Sequence, residues 1–312
     1  MLGADRGIEA GEKVGKVIVY PDGTVGVQHF QHARCHGEEL ARRRYRTPSA
    51  QGYEAILQNI AGLVFELAAT VTGDFTVGVC TPGAVSQSTG TLKNSNTTCM
   101  TGKPVQQDLE CVLDRPVRLE NDANCFALAE ALDGAGQDAE CVFGIIMGTG
   151  VGGGITVGQR LLSGRHHIAG EWGHNILEPD GPPCYCGRKG CVETFLSGPG
   201  LAGDYARRGG EDGLDAIEVA ARATAGDPVA ATTLDSFLTR FGRAVAVIIN
   251  VLDPDVVILG GGLSNIDRLY LDGPARVARH VFNEDFHTPI LQNQHGDSAG
   301  VRGAAQLWPD PD

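Results

Sequence analysis

The sequence predicts an α/β protein, because segments with the composition of buried strands alternate along the chain with segments of helical spacing. The strand-like run FTVGVCTPGAV (75–85) is followed by RPVRLEN (115–121) and then by DANCFALAEALDG (122–134), which has helical spacing. Further along, a long helical segment (227–253) precedes the strand-like VVILGGGLSN (256–265). This alternation is typical of folds in which helices cover a sheet.

The elements of the first 120 residues begin with GKVIVYPDGTVGVQHF (15–30), which predicts a hairpin with its turn at Pro21, Asp22 and Gly23. The run YEAILQNIAGLVFELAATV (53–71) has apolar residues at helical intervals and predicts a helix. The strand that starts at Phe75 is expected to stop at Pro82–Gly83.

In the rest of the chain, CVFGIIMGTGVGGGITVGQRLL (141–162) predicts two strands joined by a glycine-rich turn. Helical spacing returns over 214–226 and 227–253, and DSAGVRGAAQLW (297–308) predicts a short final helix. The composition changes near residue 120. We therefore expect a small domain formed by 1–118 and a C-terminal helix at about 298–312, and a large domain formed by 119–297, with a cleft between them.

Composition and charge exclude several classes of function. Hydrophobic residues make up 42% of the 312 residues, which is enough for a sizeable core, and the formal net charge is −13. An acidic chain is poorly suited to sequence-independent nucleic-acid binding, which depends on Lys and Arg. No apolar run is long enough to cross a bilayer, and the N-terminus lacks a signal-peptide pattern. We expect a cytoplasmic protein without nucleic-acid or membrane partners.

The segment GHNILEPDGPPCYCGRKGCVETF (173–195) predicts a metal site. Its ligands would be His174, Cys184, Cys186 and Cys191, which form the tetrahedral Cys3His set that zinc prefers. Free thiols and a disulfide are the alternatives, and a reducing compartment disfavours the disulfide. Four protein ligands leave no open position for water, so this zinc would be structural. It would hold the neighbouring acidic residues, Glu171 and Glu193, in position.

Asn121 and Asp122 stand where a strand gives way to a helix. For an isolated pair, helix capping is the favoured interpretation. The alternative is a carboxylate at the carboxyl end of a strand, where active sites of α/β proteins are usually found. There Asp122 could accept the proton of a substrate hydroxyl that attacks a phosphate.

Two glycine-rich segments and one polar segment are candidates for ligand binding. MGTGVGGG (147–154) could bind an anion through backbone amides near Gly148, Thr149 and Gly150, although a plain hairpin is as good an interpretation. ILGGGLSN (258–265) could admit a base and ribose or simply form a tight turn. Gly83 and the amides of KNSNTT (93–98), such as Asn96, are possible partners of a polyol.

Five of these segments, in this order, resemble the ROK family of sugar kinases and sugar-responsive repressors. The matching motifs are LENDANCFALAEA, GIIMGTGVGGGI, AGEWGHN, CYCGRKGCVETFLSGPG and VVILGGGLS. The resemblance covers about residues 37–305. Within the family, NDANCFALAEA beside CVETFLSGPG looks most similar to the bacterial fructokinase and mannokinase branch.

The resemblance implies an actin-like ATPase (ribonuclease H-like) fold, with two α/β domains that close on a sugar and MgATP. It implies that Asp122 is the catalytic base. The sugar-binding residues that it implies are Gly83, Asn96, Asn121, Asp122, Glu171, His174 and Glu193, with His174 also a zinc ligand. The ATP-binding residues that it implies are Gly148, Thr149, Gly150, Gly260, Gly261 and Gly262. Family members are commonly homodimers, and we expect the same here.

The N-terminus departs from the family pattern, which begins with a phosphate loop of the form acidic-x-Gly-Gly-Thr. The best alignment is GIEAGEKVG (7–15), so that Gly11 and Lys13 would contact ATP, but the second Gly and the Thr are missing. Glu12 would place a carboxylate near the γ-phosphate, where like charges repel, and Lys13 could partly compensate.

The function that we expect is ATP-dependent phosphorylation of a hexose at its 6-hydroxyl, with fructose, and also mannose, as the sugar. A glucose or N-acetylhexosamine kinase of the same family is the first alternative. A sugar-binding protein with impaired ATP turnover is the second, because of the loop at Gly11–Lys13. A sugar-sensing repressor is disfavoured, since a basic helix-turn-helix has no room before the family-like sequence and the chain is acidic.

Overall fold

The computed structural model describes residues 14–19, 24–30, 38–44, 48–69, 75–95, 97–296 and 299–308, the first three ranges by their backbone only. The chain falls into two compact units, Met1–Asn121 with Ala304–Asp312, and Asp122–Gly303. They are called the first and the second unit below. The domain limits expected from the sequence, 118 and 298, lie near these bounds, and the assignment of functional domains stays a prediction.

The first unit is built on a five-stranded sheet with the order β3-β2-β1-β4-β7. Strands β1, β2 and β3 are antiparallel neighbours, whereas β4 and β7 run parallel to β1. The strands of this unit are β1 Val14–Val19, β2 Thr24–Phe30, β3 Glu38–Arg44, β4 Phe75–Thr81, β5 Ala84–Val85, β6 Leu92–Lys93 and β7 Val117–Asn121. Its helices are α1 Tyr53–Ala68 and α2 Val105–Leu113.

The core of the first unit lies between its sheet and the two helices. Helix α1 places Ile56, Ile60 and Val64 on one face, four residues apart, and all three are buried. They belong to the same apolar cluster as Val77 of β4 and Leu109 of α2. The helix predicted from the periodicity of 53–71 is therefore confirmed as α1, and burial of its apolar face stabilises the helix.

The second unit repeats the strand pattern of the first. Its sheet has the order β10-β9-β8-β11-β12, with β8, β9 and β10 antiparallel and with β11 and β12 parallel to β8. The strands are β8 Cys141–Met147, β9 Val151–Val157, β10 Arg160–Leu161, β11 Val256–Gly260 and β12 Ile290–Gln292. The helices are α3 Asp122–Asp133, α4 Glu193–Leu196, α5 Gly198–Arg207, α6 Ala216–Thr224, α7 Pro228–Leu252, α8 Arg268–Leu271 and α9 Gly273–Ala278. Helix α10, Ala299–Ala305, continues into the first unit.

Helices pack on both faces of the second sheet. Alternate residues of β8 and β11 belong to different clusters: Phe143 and Leu259 lie in the cluster of α7, whereas Val142 and Ile258 lie in the cluster of α3. Helix α7 begins where the Asp227 side chain accepts hydrogen bonds from the backbone N–H groups of its first turn. This double cover explains why the two strands are apolar throughout.

Most elements predicted from the sequence are confirmed. The N-terminal segment forms the antiparallel pair β1–β2, whose predicted turn at Pro21–Gly23 lies outside the described residues. The glycine-rich segment at 147–154 joins β8 to β9, and the final helix is α10. The sequence did not predict β3, α2 or α5, because their short segments have mixed patterns. Among the described residues, no helix combines the length and apolarity that crossing a bilayer requires.

Candidate functional site

The junction of β7 and α3 carries the first candidate residues. Asn121 is the last residue of β7, and its Nδ2 donates a hydrogen bond of 3.0 Å to the carbonyl oxygen of Gly83. Asp122 is the first residue of α3, and its Oδ1 accepts a hydrogen bond of 2.9 Å from the backbone N–H of Ala123. The carboxylate is thus held at a helix N-terminus, where the helix dipole stabilises its negative charge.

Glycines at the start of β9 let two other segments approach the strand. A Cβ atom at Gly152 would lie 3.0 Å from the Cβ of Ala123, the neighbour of Asp122. A Cβ atom at Gly153, which faces the other way, would lie 2.6 Å from the ring of Trp172, the neighbour of Glu171. Ala123 and Trp172, the residues after Asp122 and Glu171, therefore pack against consecutive positions of β9. Side chains larger than glycine at Gly152 or Gly153 would displace Ala123 or Trp172.

Glu193 joins the glycine-rich turn to the cysteine-rich segment. It is the first residue of α4, and its Oε2 accepts a hydrogen bond of 3.0 Å from the backbone N–H of Val151. Its Oε1 lies 4.0 Å from Cys184 Sγ. A Cβ atom at Gly150 would lie only 2.6 Å from Glu193 Oε2, so this position needs glycine. The Glu193 carboxylate is thereby fixed between the turn and the thiols.

In the turn between β8 and β9, backbone amides that an anion site would direct at its ligand donate hydrogen bonds to protein oxygens instead. The backbone N–H of Gly148 donates to the carbonyl oxygen of Gly150 at 2.9 Å, and the next amide to follow the turn, that of Val151, holds Glu193. The carbonyl oxygen of Gly148 in turn accepts from Gly198, at the start of α5. The amides of Gly148 and Val151 thus donate to protein oxygens, and a role of Gly148, Thr149 and Gly150 in binding phosphate stays a prediction.

The four predicted metal ligands come together. One ligand atom from each of His174, Cys184, Cys186 and Cys191 lies within 4.8 Å of the others. Cys184 Sγ is 3.6 Å from His174 Nδ1, and Cys186 Sγ is 3.6 Å from Cys191 Sγ. A tetrahedral zinc ion with ordinary bond lengths would give about 3.8 Å between sulfurs and about 3.6 Å between sulfur and nitrogen. The donor set therefore fits zinc in both chemistry and size, and the sulfurs are too far apart for a disulfide.

The thiols influence each other's ionisation. Burial, followed by hydrogen bonding to Cys186 and Cys184, raises the pKa of Cys191 to about 12. Burial also raises the pKa of Cys184. Although burial opposes it, hydrogen bonds from the backbone of Arg188 and from the two other thiols lower the pKa of Cys186. Three clustered thiols thus resist losing all their protons together unless a cation offsets the charge, as a metal ion would.

Arg240, on α7, forms ion pairs that link the cysteine-rich segment to the core. Arg240, only 17% exposed, donates to Glu178 at 2.9 Å and to Asp204 at 2.9 Å. Its guanidinium group also lies 4.4 Å from the centre of the Phe195 ring. These contacts tie the segment before the cysteines, helix α4 and helix α5 to the long helix of the core.

Tyr185 is a residue of this region to which the sequence analysis gave no role. Its hydroxyl oxygen is 3.0 Å from His174 Nε2, and its ring meets the imidazole edge-on, with ring centres 5.2 Å apart and planes at 89°. The sequence signal that could have drawn attention to it was its place between two predicted metal ligands, Cys184 and Cys186.

The predicted nucleotide segment follows β11. Gly261 has a φ of +79°, and a side chain there would collide with the carbonyl oxygen of Met147. A side chain at Gly260 would collide with the ring of Phe126, whereas Gly262 faces open space. Close packing therefore accounts for the first two glycines, and a role of all three in binding adenosine stays a prediction.

Three predicted site residues, Gly11, Lys13 and Asn96, lie outside the described residues, as does the atypical Glu12. Gly83 and Asn121 lie together in the first unit, and their role in sugar binding stays a prediction.

Known proteins are similar to this chain both in sequence and in fold. An N-acetyl-D-glucosamine kinase of Vibrio cholerae serotype O1 is 40% identical over 280 residues, which cover 86% of this chain and 92% of that protein. One from Yersinia pseudotuberculosis serotype O:3 is 36% identical over 280 residues, covering 86% of this chain and 91% of that protein.

Among solved structures, the ROK hexokinase from Thermus thermophilus superposes with a TM-score of 0.78 at 31% identity, covering 94% of this chain and 96% of that one. A ROK family glucokinase from Streptomyces griseus, solved in complex with glucose and AMPPNP, superposes with a TM-score of 0.77 at 28% identity, covering 95% and 98%.

The sequence profile of the ROK family matches residues 24–311, which is most of the chain. The two sheets with the same strand order agree with the α/β actin-like ATPase fold expected for that family. The chain therefore belongs to the ROK family.

Proposed function

We propose that this protein is an ATP-dependent sugar kinase whose preferred substrate is N-acetyl-D-glucosamine. The observation that carries the proposal is the placement of Glu193, which one backbone hydrogen bond ties to the glycine-rich turn and which lies beside the metal cluster. A single carboxylate thus stands where the predicted phosphate-binding and sugar-binding segments meet. The names of the relatives that are 36% and 40% identical favour N-acetyl-D-glucosamine over the fructose and mannose expected from the sequence.

Asp122 acts as the general base in this proposal. Its carboxylate lies at the first turn of α3, where the helix dipole stabilises the ionised form that accepts a proton. It orients the primary hydroxyl of the sugar towards the γ-phosphate and takes the proton late in the transfer. Because phosphoryl transfer has a loose transition state, positioning contributes more than basicity.

Glu171, His174 and Glu193 recognise the sugar hydroxyls. Carboxylates accept hydrogen bonds from hydroxyls, and an imidazole bound to metal through one nitrogen presents the other as a donor. His174 Nδ1 faces the thiol of Cys184, and Nε2, which contacts the Tyr185 hydroxyl in this structure, is the nitrogen that we propose for the substrate. A sugar bound here is therefore held by two acceptors and one donor.

The nucleotide is proposed to lie along the two glycine-rich segments. Thr149 and Gly150 contact its phosphates, Gly260–Gly262 face the adenosine, and Gly11 and Lys13 complete the phosphate site from the N-terminal segment. Magnesium bound to the nucleotide neutralises phosphate charge during the transfer.

Zinc is proposed as a structural ion held by His174, Cys184, Cys186 and Cys191. With all four positions taken by protein atoms, it performs no chemistry on the substrate. Its effect is to fix the orientation of His174 and, through the segment that follows Cys191, of Glu193.

The direct test is an ADP-release assay with the purified protein and a panel of sugars: N-acetyl-D-glucosamine, N-acetylmannosamine, glucose, fructose and mannose. We expect the highest kcat/KM for N-acetyl-D-glucosamine. Glucose is the second candidate, favoured by the two superposable hexokinase and glucokinase structures. Sugar binding without ADP release from any sugar would contradict the kinase proposal and support the alternative of impaired ATP turnover raised by Glu12.

Replacing Asp122 by Asn should abolish turnover and preserve sugar binding. The amide keeps the size and the hydrogen-bond acceptor of the side chain but cannot take a proton, so we expect kcat to fall by about 100-fold or more. The sugar Kd, measured by isothermal titration calorimetry, should stay within about threefold. The control is Asp212→Asn, a change of an exposed aspartate between α5 and α6. A wild-type kcat in Asp122→Asn would refute the assignment of the base.

Replacing Cys191 by Ser should remove the metal. We expect one zinc per chain in the wild-type protein and less than about a tenth of that in the variant, because losing a thiolate ligand leaves an incomplete set. The kcat/KM for the sugar should fall by about tenfold or more as His174 and Glu193 lose their support. Cys111→Ser, at an exposed cysteine of α2, is the matched control and should retain both zinc and activity. Elemental analysis that finds no zinc in the wild-type protein would refute the metal assignment.

A further inference from the structure

Tyr185 is an exposed aromatic residue with a specific polar contact. Its side chain is flanked in sequence by two metal ligands and is 71% exposed, yet its hydroxyl oxygen lies 3.0 Å from His174 Nε2. An exposed tyrosine has no need of a protein partner for its hydroxyl, because water can satisfy it. The reason for the contact therefore has to be sought in the hydrogen-bonding role of His174 Nε2.

The two nitrogens of His174 have different partners. Nδ1 faces Cys184 Sγ at 3.6 Å, as a metal ligand would. A neutral imidazole that binds metal through Nδ1 carries its proton on Nε2, which then must donate. The Tyr185 oxygen is accordingly the acceptor, a role that a sugar hydroxyl would take in the proposed function.

The Tyr185 hydroxyl can take the part of a sugar hydroxyl in this contact. A phenol O–H, like a sugar hydroxyl, is at once a donor and an acceptor.

From this geometry, and resting on the proposed function, we propose that the Tyr185 hydroxyl occupies the place that one sugar hydroxyl takes on binding. The incoming sugar displaces it from His174 Nε2. The ring then turns aside on its exposed loop and forms a wall of the bound sugar. Tyr185 is thus a further sugar-contacting residue.

The exchange of the Tyr185 hydroxyl for a sugar hydroxyl requires little free energy. One hydrogen bond to His174 is given up and an equivalent one to the sugar replaces it, so the net change from this pair is small. Because the ring is mostly exposed, its rotation requires no repacking of the core. An aromatic ring beside a few converging polar groups is the usual composition of a small-molecule site, where it covers the apolar C–H surface of the ligand.

The test separates the hydroxyl from the ring with two variants, Tyr185→Phe and Tyr185→Ala. The Kd for N-acetyl-D-glucosamine is measured by isothermal titration calorimetry on the zinc-containing protein without nucleotide. Tyr185→Phe removes the competing hydroxyl and keeps the wall, so we expect a Kd equal to the wild-type value or up to about fivefold lower. Tyr185→Ala removes both, and we expect a Kd about tenfold higher.

Lys189→Ala, at an exposed residue of the same loop, is the matched control and should leave the Kd unchanged. Zinc content is measured in each variant to show that the loop keeps its metal, and KM for ATP should stay within about twofold in both tyrosine variants. If Tyr185→Ala loses zinc, the Tyr185→Phe result decides, since that variant retains the ring.

Two results would overturn the inference: a Kd for Tyr185→Ala within twofold of wild type, or a loss of affinity in Tyr185→Phe as large as in Tyr185→Ala. Either can occur in an active wild-type kinase, which would leave the proposed function intact. A wild-type protein that neither binds nor phosphorylates any sugar of the panel would instead sink the proposed function, and this inference with it.

Discussion

Gly261 follows β11 with a φ of +79°, and the space where its side chain would stand is filled by the carbonyl oxygen of Met147. Both properties restrict this position to glycine, because L-residues rarely adopt positive φ and a backbone oxygen cannot move aside cheaply. Gly262, the next residue, faces open space. Two adjacent glycines of one motif therefore carry different constraints, which the run of three glycines in the sequence does not distinguish.

Gly261→Ala should destabilise the protein, and Gly262→Ala should not. For Gly261→Ala we expect the free energy of unfolding to fall by about 2–4 kcal/mol, from the strained φ and the collision with Met147. For Gly262→Ala we expect a change of less than about 1 kcal/mol. Denaturant unfolding followed by circular dichroism measures both. Equal effects at the two positions would contradict the packing explanation.

Helices α3 and α10 are connected by a partly buried charge cluster. Asp133, at the end of α3, is 13% exposed and lies 2.8 Å from His295 Nε2 and 2.9 Å from the guanidinium group of Arg302 on α10. Burial opposes ionisation of Asp133, but the close contact with His295 and the positive charge of Arg302 prevail and lower its pKa. The cluster thus fixes the helix whose other end carries Asp122.

The sign of the resulting pH dependence follows from this lowered pKa. The carboxyl group binds its proton less readily in the folded protein than in the unfolded chain, where its pKa is near 3.8. Its contribution to stability is therefore complete above the unfolded pKa and is lost as the pH falls through the folded pKa.

Asp133→Asn should accordingly destabilise the protein at neutral pH and much less in acid. At pH 7 we expect the free energy of unfolding to fall by about 1–3 kcal/mol, since Arg302 keeps a partly buried charge without its partner. Below the unfolded pKa the difference from wild type should shrink towards zero. Asp138→Asn, at an exposed aspartate after α3, should change stability by less than about 0.5 kcal/mol. Urea unfolding at pH 3 and pH 7 checks both variants, and a difference independent of pH would contradict the role of the charge.

The two units of the molecule share one sheet plan and have separate cores. Each sheet has three antiparallel strands followed by two parallel ones. The apolar cluster around α1 and β4 belongs to the first unit, and the clusters around α7, α3, β8 and β11 belong to the second. The four predicted metal ligands all lie in the second unit.

Removal of the metal with a chelator should loosen the second unit more than the first. In the proposed site, zinc would stabilise the segment from His174 to Cys191 and the helices that follow it, so these amides should lose protection when zinc is withdrawn. Hydrogen–deuterium exchange with mass spectrometry is expected to show the largest increase over residues 174–207 and a smaller one in α1. An increase spread evenly over the two units would contradict a local structural role for the metal.

Sequence periodicity predicted most of the longer strands and helices, because a buried strand or an amphipathic helix of sufficient length leaves a clear pattern, but it did not predict β3 or β12. The sequence also predicted four metal ligands, His174, Cys184, Cys186 and Cys191, which the structure brings together; zinc binding by them stays a prediction. The pairing β1–β2 and the junction of β7 with α3 were likewise predicted from local signals.

Only the tertiary structure decided which of these segments meet. The repeated sheet plan has no counterpart in the sequence, because strand order depends on pairing between distant segments. The hydrogen bond from Val151 to Glu193 and the contact of Tyr185 with His174 are likewise invisible in the sequence. Local preferences act between neighbours in the chain, whereas a site is formed by side chains that the packing of the core brings together.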